Sequence, residues 1–161
     1  MSLAEQNQRK ESGKSDHKIQ VVAFELANAE YAVDILHVQE INRLINITRV
    51  PGSPSYIEGV INLRGNIIPV INLHKKFNLA SPGFDEDTRI IVFQFDEIKA
   101  AIIVDSVAEV IQLDRVNIEE SGQLYSSVDT EAIQGMAKIE ERVLILLDLE
   151  KILIAEINKP R

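Results

Sequence analysis

Two stretches of this 161-residue chain repeat each other, and nothing else in it constrains the fold as tightly. Moving the sequence by 69 positions lays Phe24 on Phe93, Val33 on Ile102, Val38 on Val107, Glu40 on Glu109 and Ile41 on Val110. Moving it by 76 lays Gly59 on Gly135, Leu63 on Ile139, Val70 on Leu146, Leu73 on Leu149 and Lys75 on Lys151. Each copy carries about five short alternating stretches and one short helical stretch, the pattern of a small barrel that closes its own edges. Two such barrels must meet, and binding grooves favour the seam between subdomains.

Within the first copy, Gly59 to Leu73 reads as a hairpin turning at Gly65-Asn66. Glycine at the first central position suits a type II′ turn, which needs φ > 0 there. That turn pairs Arg64 with Ile67, Leu63 with Ile68 and Asn62 with Pro69. One face then holds Ile61, Leu63, Ile68 and Val70, a core side. The other holds Val60, Asn62, Arg64, Ile67, Pro69 and Ile71, too apolar for open water and too polar for a dry core. Pro69 donates nothing to a ladder, so its strand is expected at an edge or a bulge.

Residues 1–18 are polar and aperiodic and read as a disordered arm. Structure is expected from Ile19, with alternation through Leu26, a turn at Ala27 to Glu30 and a second strand through Ile35. Ile35 to Ile41 fits a helical turn or a bent strand equally well. Pro51 to Ser55 is turn chemistry, and Asn72 can cap a short helix over Leu73 to Phe77. After a linker at 81–88 come strands at Ile90 to Phe95, Ala100 to Val104 and on through Leu113. The segment Asp114 to Thr130 is polar, Gly135 to Leu147 reads as a hairpin about Glu141-Arg142, and Asp148 can cap a helix to about Ile157. The domain therefore spans 19–157, with one subdomain near 19–80, a second near 89–157, and room for strand exchange between them.

A net charge of −8 argues against nucleic-acid binding, which needs clustered cations to displace counterions, and aromatics for stacking on bases are scarce. There is no cysteine, so disulfides and thiolate sites are excluded. No apolar run reaches membrane-spanning length, so no membrane insertion is expected and a soluble, cytoplasmic protein is.

His17, His37 and His74 lack metal-ligand spacing and read as surface residues, and no cofactor is called for. Asp34 with Glu40, or Asp105 with Glu109, has the residue types of an acid/base pair, but no activated nucleophile, phosphate loop or oxyanion donors accompany them. Solvated carboxylates and a protein that is not an enzyme are expected, ahead of a small hydrolytic or ligand-binding barrel. Arg64 with Glu40 carries more information. A guanidinium fork on a carboxylate at a groove wall orients both groups for a partner, and the half-apolar face bearing Arg64 needs covering. Under the repeat, Arg64-Gly65-Asn66 becomes Glu140-Glu141-Arg142, which restricts such a role to the first hairpin.

Four ordered motifs complete the reading: Val38-Gln39-Glu40-Ile41, Ile57 through Gly65 with Pro69-Val70, Val104-Asp105-Ser106-Val107, and Leu146 through Lys151. Together they resemble the CheW family of bacterial chemotaxis coupling proteins, over nearly everything from Ile19 to Ile154. The resemblance implies two SH3-like five-stranded β-barrels packed together with short helices, a mainly β fold. It implies a non-catalytic adaptor joining the cytoplasmic tip of methyl-accepting chemoreceptors to the regulatory domain of the histidine kinase CheA, recruited to membrane-associated receptor arrays. A CheW-like adaptor of a different receptor–kinase pathway is the neighbouring alternative. Carried over position by position, Val38, Glu40, Asn62, Arg64 and Val107 face the receptor, while kinase barrels meet the barrel ends. Asn72 stands where the family often has Asp, and Ser106 where Gly is common.

Overall fold

A computed structural model describes residues 17–119 and 132–152 of the chain. Eleven strands form two sheets among these residues: β1 (Lys18–Leu26), β2 (Ala29–Asp34), β3 (Val38–Arg43), β4 (Ile57–Leu63), β5 (Asn66–Asn72), β6 (Arg89–Phe95), β7 (Ile98–Val104), β8 (Ser106–Asp114), β9 (Ile118–Glu119), β10 (Ile133–Ile139) and β11 (Arg142–Leu147). One sheet has the order β3-β6-β7-β5-β4 and the other β8-β1-β2-β11-β10-β9.

Both sheets close on themselves, and by the same device. Beyond β3 the chain bends until Thr48 pairs with Val60 on the opposite edge, with both backbone bonds at 2.8 Å. Beyond β8 a 3-10 turn at Arg115–Asn117 leads into β9, which pairs with Met136 and Ala137 of β10. Each closure presses a carbonyl against a glycine. A Cβ on Gly59 would lie 2.2 Å from the Thr48 oxygen, and one on Gly135 would lie 2.8 Å from that of Glu119. The repeated glycines mark the two points where a ring shuts.

Strands are exchanged between the copies. The first ring takes β3 to β7, and the second takes β1, β2 and β8 to β11, so each draws on both sides of residues 81–88. The exchange is reciprocal: Val38 pairs with Phe93, while its counterpart Val107 pairs with Phe24, the counterpart of Phe93. Most central strands are consequently buried on both faces. In β1, Val21 and Ala23 enter the second ring's own core, while Val22, Phe24 and Leu26 join Ile91, Phe93 and Ile102 in the larger core between the rings. Ile61, Ile68, Val70 and Ile103 fill the first ring. Burial of this kind, at about 25 cal/mol per Å², is the main source of stability.

The first hairpin turns one residue earlier than its sequence suggests. Leu63 pairs with Asn66 and Asn62 with Ile67, so the turn is Arg64-Gly65, and φ of +51° and +86° makes it type I′. Each residue keeps its expected face, because the register moves by an even step and the side-chain period is two. The mixed face splits along its length: Ile71 is buried in the core between the rings, whereas Ile67 is 65% exposed near the tip. The last hairpin is likewise early, with Ile139 opposite Arg142 and the turn at Glu140-Glu141.

Pro69 lies in an interior strand, not at an edge, since β5 is flanked by β4 and β7. Pairing with β7 begins only at Val70, and Val60, opposite Pro69, sends both its backbone groups away to Thr48. The missing N–H therefore falls where no ladder bond is due. Ile35 to Ile41 contains both alternatives in turn: a 3-10 turn at Ile35–His37, capped by Asp34, and then β3. Asn72 caps α1 (Leu73–Lys76) through a 3.2 Å bond from the Lys75 N–H, and Asp148 does the same for Lys151 at 3.3 Å. Residues 149–152 are helical, and Lys18, expected to end the arm, already belongs to β1; the rest of that expected helix, residues 1–16 of the arm expected at 1–18 and residues 120–131 lie outside the described residues.

Candidate functional site

The tip of the first hairpin reaches across the ring and takes hold of β3. Arg64, in the left-handed region at the turn, sends a two-pronged guanidinium to Glu40: Nη1 to Oε2 at 2.7 Å and Nη2 to Oε1 at 3.1 Å. Asn42, two residues along the same face of β3, donates to Glu40 Oε1 at 2.6 Å. Asn62 supports the arrangement indirectly, its Oδ1 accepting the Gly65 N–H at 3.0 Å and so holding the turn. The Arg64 hydrogen bonds, and after them that of Asn42, hold the Glu40 carboxyl below its ordinary range, and Arg64 is pushed up in return. The Arg64 side chain is nevertheless 71% exposed, against 19% for Glu40. The carboxylate is covered and the cation faces outward.

Val38 starts β3 and Val107 follows the first residue of β8; both are half-buried against the core between the rings. Glu40 and Arg64 are joined directly and Asn62 through the turn that it holds, whereas Val38 and Val107 pack on the core between the rings; the register shift after Val38 sets it opposite Phe93 and Glu40 opposite Val92, which enter different cores. The seam itself is no trough. Phe24, Phe93, Ile71, Leu73 and Leu147 fill it, and among the described residues a cleft of about 150 Å³ opens at one edge, beside His37, Phe95 and Leu149. Half-buried Val38 and Val107 stand at the margin of this filled core, which forms a rim and not a groove there.

Several groups that sequence reasoning left idle are engaged. His74 is buried, with 2% of its surface exposed, and its Nε2 meets Asp105 Oδ2 at 3.1 Å. His37 is half-buried with its ring 4.4 Å from that of Phe95. Of the histidines, only His17 is exposed. Glu109 is approached by Arg142 at 3.5 Å, and Arg142 also grips Glu30 with two bonds of 2.9 Å. The Arg142 hydrogen bond in turn lowers Glu30 below its ordinary range. A role for Arg142 was legible only as an arginine near the tip of the second hairpin; the strict repeat set Glu140 under Arg64 and hid it. Neither Asp105 nor Glu109 is left as a free acid or base. Among the described residues no three acidic or histidine side chains are placed to hold a metal, and no helix is long and apolar enough to cross a membrane.

With the geometry in place, the comparisons point one way. Residues 20–156 match the family model of the CheW-like domain. The chain is 41% identical over 133 residues to the chemotaxis protein CheW of Klebsiella aerogenes, covering 83% of this chain and 80% of that one. It is 32% identical over 142 residues to the chemotaxis protein CheW of Treponema pallidum, covering 86% and 84%. The crystal structure of the scaffolding protein TtCheW from Thermoanaerobacter tengcongensis superposes with a TM-score of 0.76 at 40% identity, covering 81% of this chain and 88% of that one.

Proposed function

The chain belongs to the CheW-like domain family and is an adaptor of the chemotaxis scaffold; from that premise we propose that it holds the cytoplasmic tip of methyl-accepting chemoreceptors beside the regulatory domain of the histidine kinase CheA, with no catalysis of its own. The working location is the cytoplasmic side of receptor arrays. The observation that supports this reading is the outward-facing Arg64, locked in orientation by Glu40, with the exposed Ile67 close by in the same hairpin. An oriented cation beside an apolar strip suits an amphipathic helix laid along it: the strip accepts the apolar ridge, and the guanidinium accepts a carboxylate or a helix-end carbonyl. Val38, Glu40, Asn62, Arg64 and Val107 are the receptor-side residues in this proposal.

Closed rings bear on the mode of contact. Thr48 pairs at Val60 and β9 at two residues of β10, which covers part of each ring's edge and favours recognition through side chains over strand addition. Signal transfer then requires receptor and kinase contacts whose strengths differ between array states, since a ligand shifts an equilibrium only by its differential affinity.

Arg64→Asp tests the proposal. It should abolish co-sedimentation with receptor-tip fragments while the circular dichroism spectrum and the affinity for the kinase regulatory domain stay unchanged. A folded variant that still sediments with receptor refutes it. A pull-down from the source cells that recovers a histidine kinase without chemoreceptors would instead assign the adaptor to another receptor–kinase pathway.

A further inference from the structure

The chain crosses between the two rings at points that deliver Val38 and Val107, and the two crossings are held differently. The crossing into Val38 is self-contained: Asp34 Oδ1 accepts the Leu36 N–H at 2.9 Å, and the Val38 N–H closes the 3-10 turn on the Ile35 carbonyl. The crossing into Val107 has no turn of its own. Asp105 is the single residue between β7 and β8, and it is fastened from outside. Its N–H donates to the Glu25 carbonyl at 3.0 Å, and its Oδ2 accepts from the Ala27 N–H at 2.8 Å and meets His74 Nε2 at 3.1 Å.

The imidazole has one way to serve there. Among the described residues His74 Nδ1 is buried with no hydrogen-bond partner, so the neutral Nε2–H tautomer satisfies Asp105 and leaves only a lone pair unpaired there; the opposite tautomer would bury an unpaired N–H, which costs more. Helix α1 of the first ring is thereby tied to the β1–β2 turn of the second, at the residue where the chain passes between them. Val107 follows two residues later, paired with Phe24 where the β1–β8 register shifts. Among the described residues the second copy has no equivalent tie, and Glu150, the counterpart of His74 under the 76-residue repeat, is exposed.

We infer that His74 and Asp105 are positioning residues for the receptor-facing rim: their buried bond fixes the crossing and so sets where Val107 stands relative to Val38. The inference rests on the reading of Val107 as a receptor-side residue. It assigns the Val104-Asp105-Ser106-Val107 motif a division of labour, with Asp105 holding and Val107 touching. Ser106 does not adopt positive φ, so the glycine common at that position in the family is not required by the backbone here.

The test compares His74→Leu, which removes the donor but fills the space, with His74→Gln, which keeps an N–H to offer Asp105. The leucine variant should bind a receptor-tip fragment about tenfold more weakly, within the range by which such coupled positions act, while its affinity for the kinase regulatory domain is retained. The Val107 methyl resonances should move, and those of Val38 should not. The glutamine variant should restore most of the receptor affinity. Should the leucine variant fold poorly, Asp105→Asn, which keeps an acceptor for Ala27, is expected to show the same split. Wild-type receptor affinity in a folded His74→Leu or Asp105→Asn variant, or loss of both affinities in step with thermal stability, overturns the inference. Val107→Asp separates the two levels: if it binds receptor normally, the receptor-side reading of Val107 fails, and if it alone loses binding, only the positioning role fails.

Discussion

The two hairpin tips answer the same structural problem with different residues. In the first ring Arg64, inside the turn, bridges to Glu40 on β3; in the second Arg142, just after the turn, bridges to Glu30 on β2 and Glu109 on β8. Glu40 and Glu109 are counterparts in the repeat, so one end of the clasp was kept and the other moved along the hairpin by two residues. The move changes exposure. Arg64 is 71% exposed and Arg142 34%, and Arg142 has two carboxylates to satisfy it where Arg64 has one. A guanidinium saturated by its own protein has little left for a partner. The first clasp leaves its guanidinium open to solvent, while the second half-covers its own.

The largest effects should come from the feature the rings share most closely, their glycine closures. Gly59→Ala places a Cβ 2.2 Å from a backbone oxygen at φ +153°, whereas Gly135→Ala meets its oxygen at 2.8 Å without positive φ. Denaturant unfolding should show a loss of about 3 kcal/mol or more for the first and about 1–2 kcal/mol for the second, in the range of strained and overpacked positions. Equal losses would mean that the rings close with equal tightness and would undo the asymmetry.

The clasps should separate next. Arg142→Ala leaves two carboxylates close together without a cation and should lower the melting temperature more than Arg64→Ala, which leaves one. Receptor binding should follow the opposite order, with Arg64→Ala weakening it and Arg142→Ala sparing it. If both variants lose receptor affinity alike, the second tip is a contact surface too.

How far the sequence carried these distinctions depended on the range of the physics involved. Alternation found nearly every described strand, because side-chain period is local, and it assigned faces correctly even where the Arg64-Gly65 turn was placed one residue late. Asn72 and Asp148 were legible as caps because a cap acts within three residues. The partners of Glu30, His74 and Pro69 were not legible. They depend on which strand lies alongside, and the exchange of β1 and β2 against β6 and β7 joins residues as far apart as Glu30 and Arg142. Arg64 with Glu40 came within reach because a guanidinium fork matches a carboxylate and the half-apolar face bearing Arg64 needs covering.

Acid should act on both clasps in the same direction and by unequal amounts. The Arg64 and Arg142 hydrogen bonds hold Glu40 and Glu30 below the ordinary carboxylate value of 4.5. A carboxyl depressed in the folded state contributes stability that is complete above its unfolded value and is lost as pH falls through its folded value. Both clasps are therefore intact at neutral pH and weaken below about 4.5, a change that side-chain carboxyl resonances followed by NMR titration would report residue by residue. Salt then discriminates between them. Mobile ions reach the exposed Arg64 more readily than the half-covered Arg142, so added salt should raise the Glu40 midpoint further than that of Glu30. Identical salt responses would mean that the difference in exposure has no electrostatic consequence, and the outward-facing clasp would then owe any partner role to its shape alone.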